Sequence, residues 1–141
     1  MENTSFGNPE EKLILIVDDD ESVLDLLSFL VHKEGFKVEK ASDGEEALAK
    51  AKALHPDLML LDLMLPKYGG FEILRELQDD DTSDIAIVIV TGRYTDRSTS
   101  EMIKQEPNVK DFVEKPVKPH VLAALLHTLL KTRPSVKKTG A

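Results

Sequence analysis

The chain has no cysteine among its 141 residues. Disulfide frameworks, thiolate nucleophiles and Cys-ligated zinc or iron–sulfur centres are therefore excluded, and the sequence fits a reducing compartment. Basic residues are in deficit, with 18 Lys and Arg against 26 Asp and Glu and a formal charge of −8. A surface of that sign repels phosphates, so direct binding to nucleic acid or to anionic lipid is not expected. Apolar runs stop at strand length, too short to cross a bilayer. The first eleven residues lack the basic-then-apolar order of a secretory signal. These absences leave a cytoplasmic soluble domain as the expectation. With 41% hydrophobic and 31% charged residues, the chain is long enough for one domain with a core and too short for two ordinary ones.

What is present alternates between two periods. Leu13 to Val17 is an unbroken apolar run, as in a strand covered on both faces, and it ends at Asp18-Asp19-Asp20. Val23, Leu26, Leu27, Leu30 and Val31 follow at helical spacing, with Gly35 as C-cap. Phe36 to Ala41 reads as a second strand, and Ser42-Asp43-Gly44 caps a helix carrying Ala47, Leu48, Ala51 and Leu54 that stops near His55-Pro56. Leu58 to Leu61 is a further apolar run, ending at Asp62 and followed by a loop with Pro66 and Gly69-Gly70. A helix over Phe71 to Gln78 has Phe71, Leu74 and Leu77 on one side, and Ile85 to Val90 is a strand stopping at Thr91-Gly92. Arg97 to Glu106 is a weak helix, rich in Ser and Thr with only Met102 and Ile103 apolar. Asp111 to Val113 makes the last strand, ending at Glu114-Lys115-Pro116, and Pro119 opens a helix striped with Val121, Leu122, Leu125, Leu126, Leu129 and Leu130.

Five strand-then-helix units imply an α/β fold: a five-stranded parallel sheet, doubly wound, flavodoxin-like, with helices on both faces. Residues 12–131 form this domain, and residues 1–11 and 132–141 are expected to be flexible tails. Ligands of such sheets sit at the carboxyl ends of the strands. The residues there are Asp18, Asp19, Asp62, Thr91 and Lys115. Any one of them could serve as a cap, a turn or a surface charge, but gathered in one crevice three carboxylates repel and need cations. A divalent ion and Lys115 would balance them, and an oxygen-only donor set favours Mg2+, with Mn2+ as substitute. A carboxylate beside such an ion, a lysine and a hydroxyl is suited to receive a phosphoryl group. Asp62, the lone acid ending a buried strand, is the nucleophile in this reading; Asp18 and Asp19 hold the metal, and Thr91 donates to a phosphoryl oxygen.

Four ordered segments resemble the receiver domain of two-component response regulators: Leu-Ile-Val-Asp-Asp at 15–19, Leu-Leu-Asp-Leu-Met-Leu-Pro at 60–66, Val-Thr-Gly at 90–92 and Asp-Phe-Val-Glu-Lys-Pro at 111–116. The resemblance runs from Lys12 to Lys131. It implies that Asp62 accepts phosphate from a histidine kinase or histidine phosphotransfer protein, and that Lys115 contacts the acyl phosphate. It further implies that the Met64 carbonyl ligates the metal and that Lys115–Pro116 is a cis peptide. Thr91 and the aromatic position Phe112 would move together as a switch, and Met64 and Arg93 would flank the site and tune dephosphorylation. Asn108 stands where receivers usually have Gly, at a position whose left-handed backbone Asn tolerates.

The leading function is thus a phosphorylation-controlled binding switch with an unidentified downstream protein partner, either stand-alone or excised from a longer chain. A receiver-like scaffold that ignores phosphate is a second reading. A Mg2+-dependent phosphatase is a third, opposed by Met64 standing where a general acid would be needed. His32, His55, His120 and His127 lack metal-ligand spacing and are read as structural or solvent-facing.

Overall fold

The structure is a computed structural model and describes residues 6–65, 70–79, 81–92 and 97–134. Pro66, Gly69 and Arg93 lie outside the described residues, as does the side chain of Phe71. The elements are β1 (Leu13–Val17), α1 (Glu21–Lys33), β2 (Lys37–Ala41), α2 (Gly44–Leu54), β3 (Leu58–Asp62), α3 (Gly70–Glu76), β4 (Ala86–Thr91), α4 (Arg97–Lys104), β5 (Val109–Glu114) and α5 (Pro119–Leu130). The five strands form one parallel sheet in the order β2-β1-β3-β4-β5. This is the doubly wound α/β sheet that the alternation of apolar runs and helical stripes predicts.

Successive strand residues point to opposite faces, and the core divides accordingly. Leu15, Val17, Met59, Leu61, Ile87 and Ile89 pack with Ala47 and Ala51 of α2, Leu74 of α3 and Ile103 of α4. Ile14, Ile16, Leu58, Leu60, Val88 and Val90 pack with Leu24 and Leu27 of α1 and Leu122 and Leu126 of α5. Each buried Leu, Ile, Val or Met side chain among these stabilises by roughly 1.5–3 kcal/mol. All of β3 is buried, including its last residue, Asp62. The sheet itself therefore holds a carboxylate at the edge of the core.

Three of the predicted helical stripes include a residue that the structure exposes. In α1 the buried residues are Leu24, Leu27 and Val31, whereas Leu26 is 51% exposed. At about 100° per residue Leu26 points some 200° from Leu24, so both cannot face the sheet. Leu54 and Val121 are likewise exposed. The weak helix α4 is two residues shorter than expected and stops at Lys104. β5 begins two residues earlier than expected, at Val109, and its register with β4 shifts just after that first residue, between Ile87 and Val88.

The stretch expected as an N-terminal tail is tied down from Gly7 onward. Gly7 forms a parallel bridge with Thr132: its N–H donates to the Lys131 carbonyl at 2.8 Å, and its carbonyl accepts from Arg133 N–H at 3.1 Å. Pro9–Glu11 forms one 3-10 turn with Pro9 buried. Pro9 sits where Gly35 (φ 101°) has no side chain; a Cβ there would lie 3.0 Å from Pro9 Cγ. Paired backbone and a buried ring hold these residues to the domain; residues 1–5 and 135–141 lie outside the described residues.

Candidate functional site

Sheet order reverses between β1 and β3, and the first two acids follow directly. Asp18 comes immediately after β1, Asp62 closes β3, Thr91 closes the neighbouring β4, and Lys115 follows β5. The topology thus brings four sequence-distant residues to one end of the sheet. Asp18 and Asp62 are 1% and 4% exposed, Thr91 is buried, and Asp19 is exposed. An open cavity is lined by Asp18, Asp19, Asp62, Met64, Gly92 and Lys115.

Lys115 Nζ donates to Asp18 Oδ2 at 2.7 Å and to Asp62 Oδ2 at 3.4 Å. Its backbone N–H donates to the Thr91 carbonyl at 2.9 Å, which fixes the lysine relative to β4. The Lys115–Pro116 peptide is cis. Gly92 leaves room for the lysine stem: a Cβ at that position would lie 3.4 Å from Lys115 Cδ. The other Asp62 oxygen, Oδ1, accepts the Met64 N–H at 3.0 Å, while the Met64 side chain is 61% exposed. Asp18 Oδ1 accepts the Asp20 N–H at 2.9 Å.

Asp20 is the member of the acidic run that serves as helix cap. Its Oδ1 accepts from Ser22 Oγ at 2.7 Å and from the Ser22 and Val23 amides, the standard use of an acid at a helix N-terminus. The Ser22 hydroxyl bond, with help from these amides, holds its carboxyl below the usual range. Burial pushes the Asp62 carboxyl up, and the charge of Asp18 adds to this; the Met64 amide and Lys115 oppose it without cancelling it. Desolvation pulls the Lys115 ammonium down, but its hydrogen bond to Asp18 and the charges of Asp62 and Asp18 outweigh it, and the net direction is up. The site therefore holds one carboxylate under electrostatic pressure and one ammonium kept charged.

One oxygen each from Asp18, Asp19 and Asp62 lies within 4.8 Å of the others. Hard oxygen donors with no imidazole or thiolate among them fit Mg2+ rather than zinc. Phe112, on β5, is half-buried with the Lys104 ammonium 5.6 Å from its ring centroid, and it packs against the α2–α4 side of the core. Asn108 is buried; its Oδ1 accepts from Gln78 Nε2 at 2.8 Å. It is not among the described non-glycine residues with positive φ, so the left-handed backbone expected there is absent.

Sequence reasoning missed the role of the Met64 amide, because a backbone donor carries no residue-type signal. His127, read as structural or solvent-facing, is structural: it is buried in α5 with both ring nitrogens bonded, Nδ1 to Thr132 Oγ1 at 2.7 Å and Nε2 to Glu34 Oε1 at 3.0 Å, partners that sequence reasoning did not name.

A parallel doubly wound sheet with paired acids after one strand, a buried aspartate ending the next and a lysine before a cis proline defines the class as a receiver-type signalling domain. The comparisons with known proteins agree on the family. The family model for the response regulator receiver domain matches residues 14–127, and the chain belongs to that family. It is 37% identical over 120 residues to the alkaline phosphatase synthesis transcriptional regulatory protein PhoP of Bacillus subtilis, covering 85% of this chain and 49% of that protein. It is 39% identical over 118 residues to the DNA-binding response regulator MtrA of Mycolicibacterium smegmatis, covering 84% of this chain and 50% of that one. The chain thus spans about half the length of these relatives. Among solved structures, a CheY-like receiver domain protein from Methanospirillum hungatei superposes with TM-score 0.77 at 32% identity, covering 84% of this chain and 93% of that one. Vibrio cholerae chemotaxis protein CheY4 superposes with TM-score 0.77 at 28% identity, covering 84% and 98%.

Proposed function

We propose that residues 12–131 form a signalling switch in which Asp62 accepts a phosphoryl group from a phosphohistidine on a histidine kinase or histidine phosphotransfer protein. The observation that carries this reading is the buried Asp62 carboxylate, 3.4 Å from Lys115 Nζ and in one oxygen cluster with Asp18 and Asp19. One carboxylate oxygen bonds to phosphorus as the P–N bond breaks; the electron pair stays on the donor imidazole, which then takes a proton from solvent. Mg2+, or Mn2+ in its place, would be held by Asp18, Asp19, Asp62 and the Met64 carbonyl and would neutralise charge on the transferred oxygens. Lys115 is already charged and aimed at the same oxygens, so little reorganisation accompanies transfer. The Thr91 hydroxyl would donate to the phosphoryl group and Phe112 would change its burial in step, which alters the surface offered to a downstream protein.

Membership in a family with DNA-binding relatives does not make this domain a DNA reader. Its formal charge of −8 opposes phosphate contact, so any nucleic-acid binding would belong to residues outside 12–131. Met64 and Arg93 are taken to limit the access of attacking water. A cytoplasmic location fits the kinase partner; among the described residues no helix is long and apolar enough to cross a membrane. The domain catalyses only its own phosphorylation and dephosphorylation, because no second acid stands at position 64 to protonate a leaving group. Intact mass after acetyl phosphate with Mg2+ tests the reading. A single phosphoryl adduct on the parent and none on Asp62→Asn is expected; a parent that stays unmodified by both acetyl phosphate and a histidine kinase would favour the scaffold reading.

A further inference from the structure

At the end of the sheet opposite the acidic pocket, the two described chain ends meet around His127, a buried residue that the phosphoryl chemistry does not use. α5 starts near the pocket, so its C-terminus lies at the N-terminal ends of the strands, about 16 Å away across a five-residue strand. There the helix stops at Lys131, in the left-handed conformation (φ 55°). The next residue, Thr132, is 2% exposed and bridges to Gly7.

The protonation pattern of the ring follows from its partners. The Glu34 carboxylate only accepts, so Nε2 carries a hydrogen and donates; Thr132 Oγ1 is a hydroxyl that can donate to Nδ1 or accept from it. Both ring nitrogens are therefore paired, Nε2 with the Glu34 carboxylate and Nδ1 with the Thr132 hydroxyl. The ring also lies against Phe36, with centroids 5.0 Å apart. One side chain on α5 thereby joins the residue after α1 (Glu34), the residue before β2 (Phe36) and the exit of α5. Through Thr132 the same contact reaches Gly7, whose backbone is bonded on both sides, to Lys131 and to Arg133.

We propose that His127 is a positioning residue: by orienting Thr132 it clips residues 6–8 to residues 131–133, so that a segment attached after Pro134 leaves the domain in one fixed direction beside its N-terminal segment. A position that only filled the core would be better served by an apolar side chain, which has no ring nitrogen to be paired. The curated relatives are about twice this length, and in a chain of that kind a fixed exit would set where a second unit can sit. The inference is independent of whether Asp62 is phosphorylated.

The absence of cysteine makes the test direct. Spin labels are placed on Phe6→Cys and Pro134→Cys of the full 141-residue chain, both exposed positions, and their distance distribution is read by pulsed electron resonance. A narrow distribution is expected for the parent and for Thr132→Ser, which keeps the hydroxyl. It should broaden at least about twofold in Thr132→Val and in His127→Ala, with exchange of the Gly7 amide faster by about tenfold or more, as for opening of a local unit. Adduct formation at Asp62 should stay within about twofold of the parent in Thr132→Val, since local opening at one end leaves the other end intact. A broad distribution in the parent, or one in Thr132→Val as narrow as in the parent, overturns the proposal. So does a Thr132→Ser variant as broad as Thr132→Val, or loss of adduct formation in Thr132→Val alone, which would mark Thr132 as part of the global fold. A parent that never accepts phosphate bears only on the role of Asp62 and leaves the distances to decide this one.

Discussion

The two ends of the sheet treat buried polar groups in opposite ways. At the carboxyl ends of the strands, Asp18 and Asp62 are buried side by side and share one lysine, with Asp19 adding a third acid. At the amino ends, His127, Thr132 and Glu34 satisfy one another, and the backbone of Gly7 and Lys131 closes the structure over them. The first end is built with unmet electrostatic demand, and an added cation would meet it. The second is complete as it stands. Like charges brought together in a shared site disfavour ionisation and cost stability, so the contrast separates residues held for chemistry from residues held for shape.

The largest expected effect tests the unmet demand. At Mg2+ a hundredfold above its Kd, the parent should gain about 2.7 kcal/mol in unfolding free energy, the mass-action value for a ligand that binds only the folded state. Urea midpoints with and without EDTA read this gain. Asp19→Asn should lose most of it and Thr132→Val none; an equal gain in Asp19→Asn would place the ion elsewhere. Next in size, His127→Ala should destabilise by about 2 kcal/mol, because it removes a buried ring and leaves Glu34 and Thr132 without their partner. Thermal unfolding of this variant, compared in buffer with and without Mg2+, should show a loss of the same size in both. A loss that vanished with Mg2+ would mean that the two ends are coupled.

Smaller and opposite in sign is the effect of Asp62→Asn in metal-free buffer. Because burial raises the Asp62 carboxyl above its unfolded value, the folded state holds that proton more tightly. Stability from this group is therefore present at low pH and lost as pH rises through the folded pKa. At neutral pH Asp62→Asn should be more stable than the parent by about 1 kcal/mol, a common size for a functional-site substitution. The gain should shrink on acidification as the parent carboxyl takes up its proton. Denaturant unfolding at neutral and acidic pH measures it, and a gain that grew toward low pH would reverse the assigned sign.

The sequence made the acidic end legible because its signals are local. Apolar runs stop abruptly at Asp18, Asp62 and Thr91, and a parallel sheet brings strand ends together whatever the intervening loops do. The phase of α1 was less legible: Leu24, Leu26, Leu27 and Leu30 support more than one stripe, and only the packing against Ile14 and Ile16 selects Leu24 and Leu27 over Leu26. The His127 end was not legible at all. Glu34 and His127 are 93 residues apart, and a histidine among the leucines of α5 looks the same in sequence whether it faces solvent or a carboxylate. The hold on Gly7 rests on backbone groups, which every residue possesses.

The smallest effect separates main chain from side chain within the acidic end. Met64 contributes its amide to Asp62 Oδ1, while its side chain is largely exposed and packs little. Met64→Ala keeps the amide and should leave unfolding free energy within about 0.5 kcal/mol of the parent, as for surface substitutions generally. If the side chain shields the acyl phosphate from water, the same variant should lose its phosphoryl group two to three times faster, about 0.5 kcal/mol in barrier. The decay of the adduct, followed by intact mass after the donor is removed, reads this directly. An unchanged lifetime would assign shielding to residues other than the Met64 side chain and leave its main chain as the contribution of position 64 to the site. A stability loss well above the stated range would instead mean that the side chain packs in solution, and the division between main chain and side chain at this position would fail.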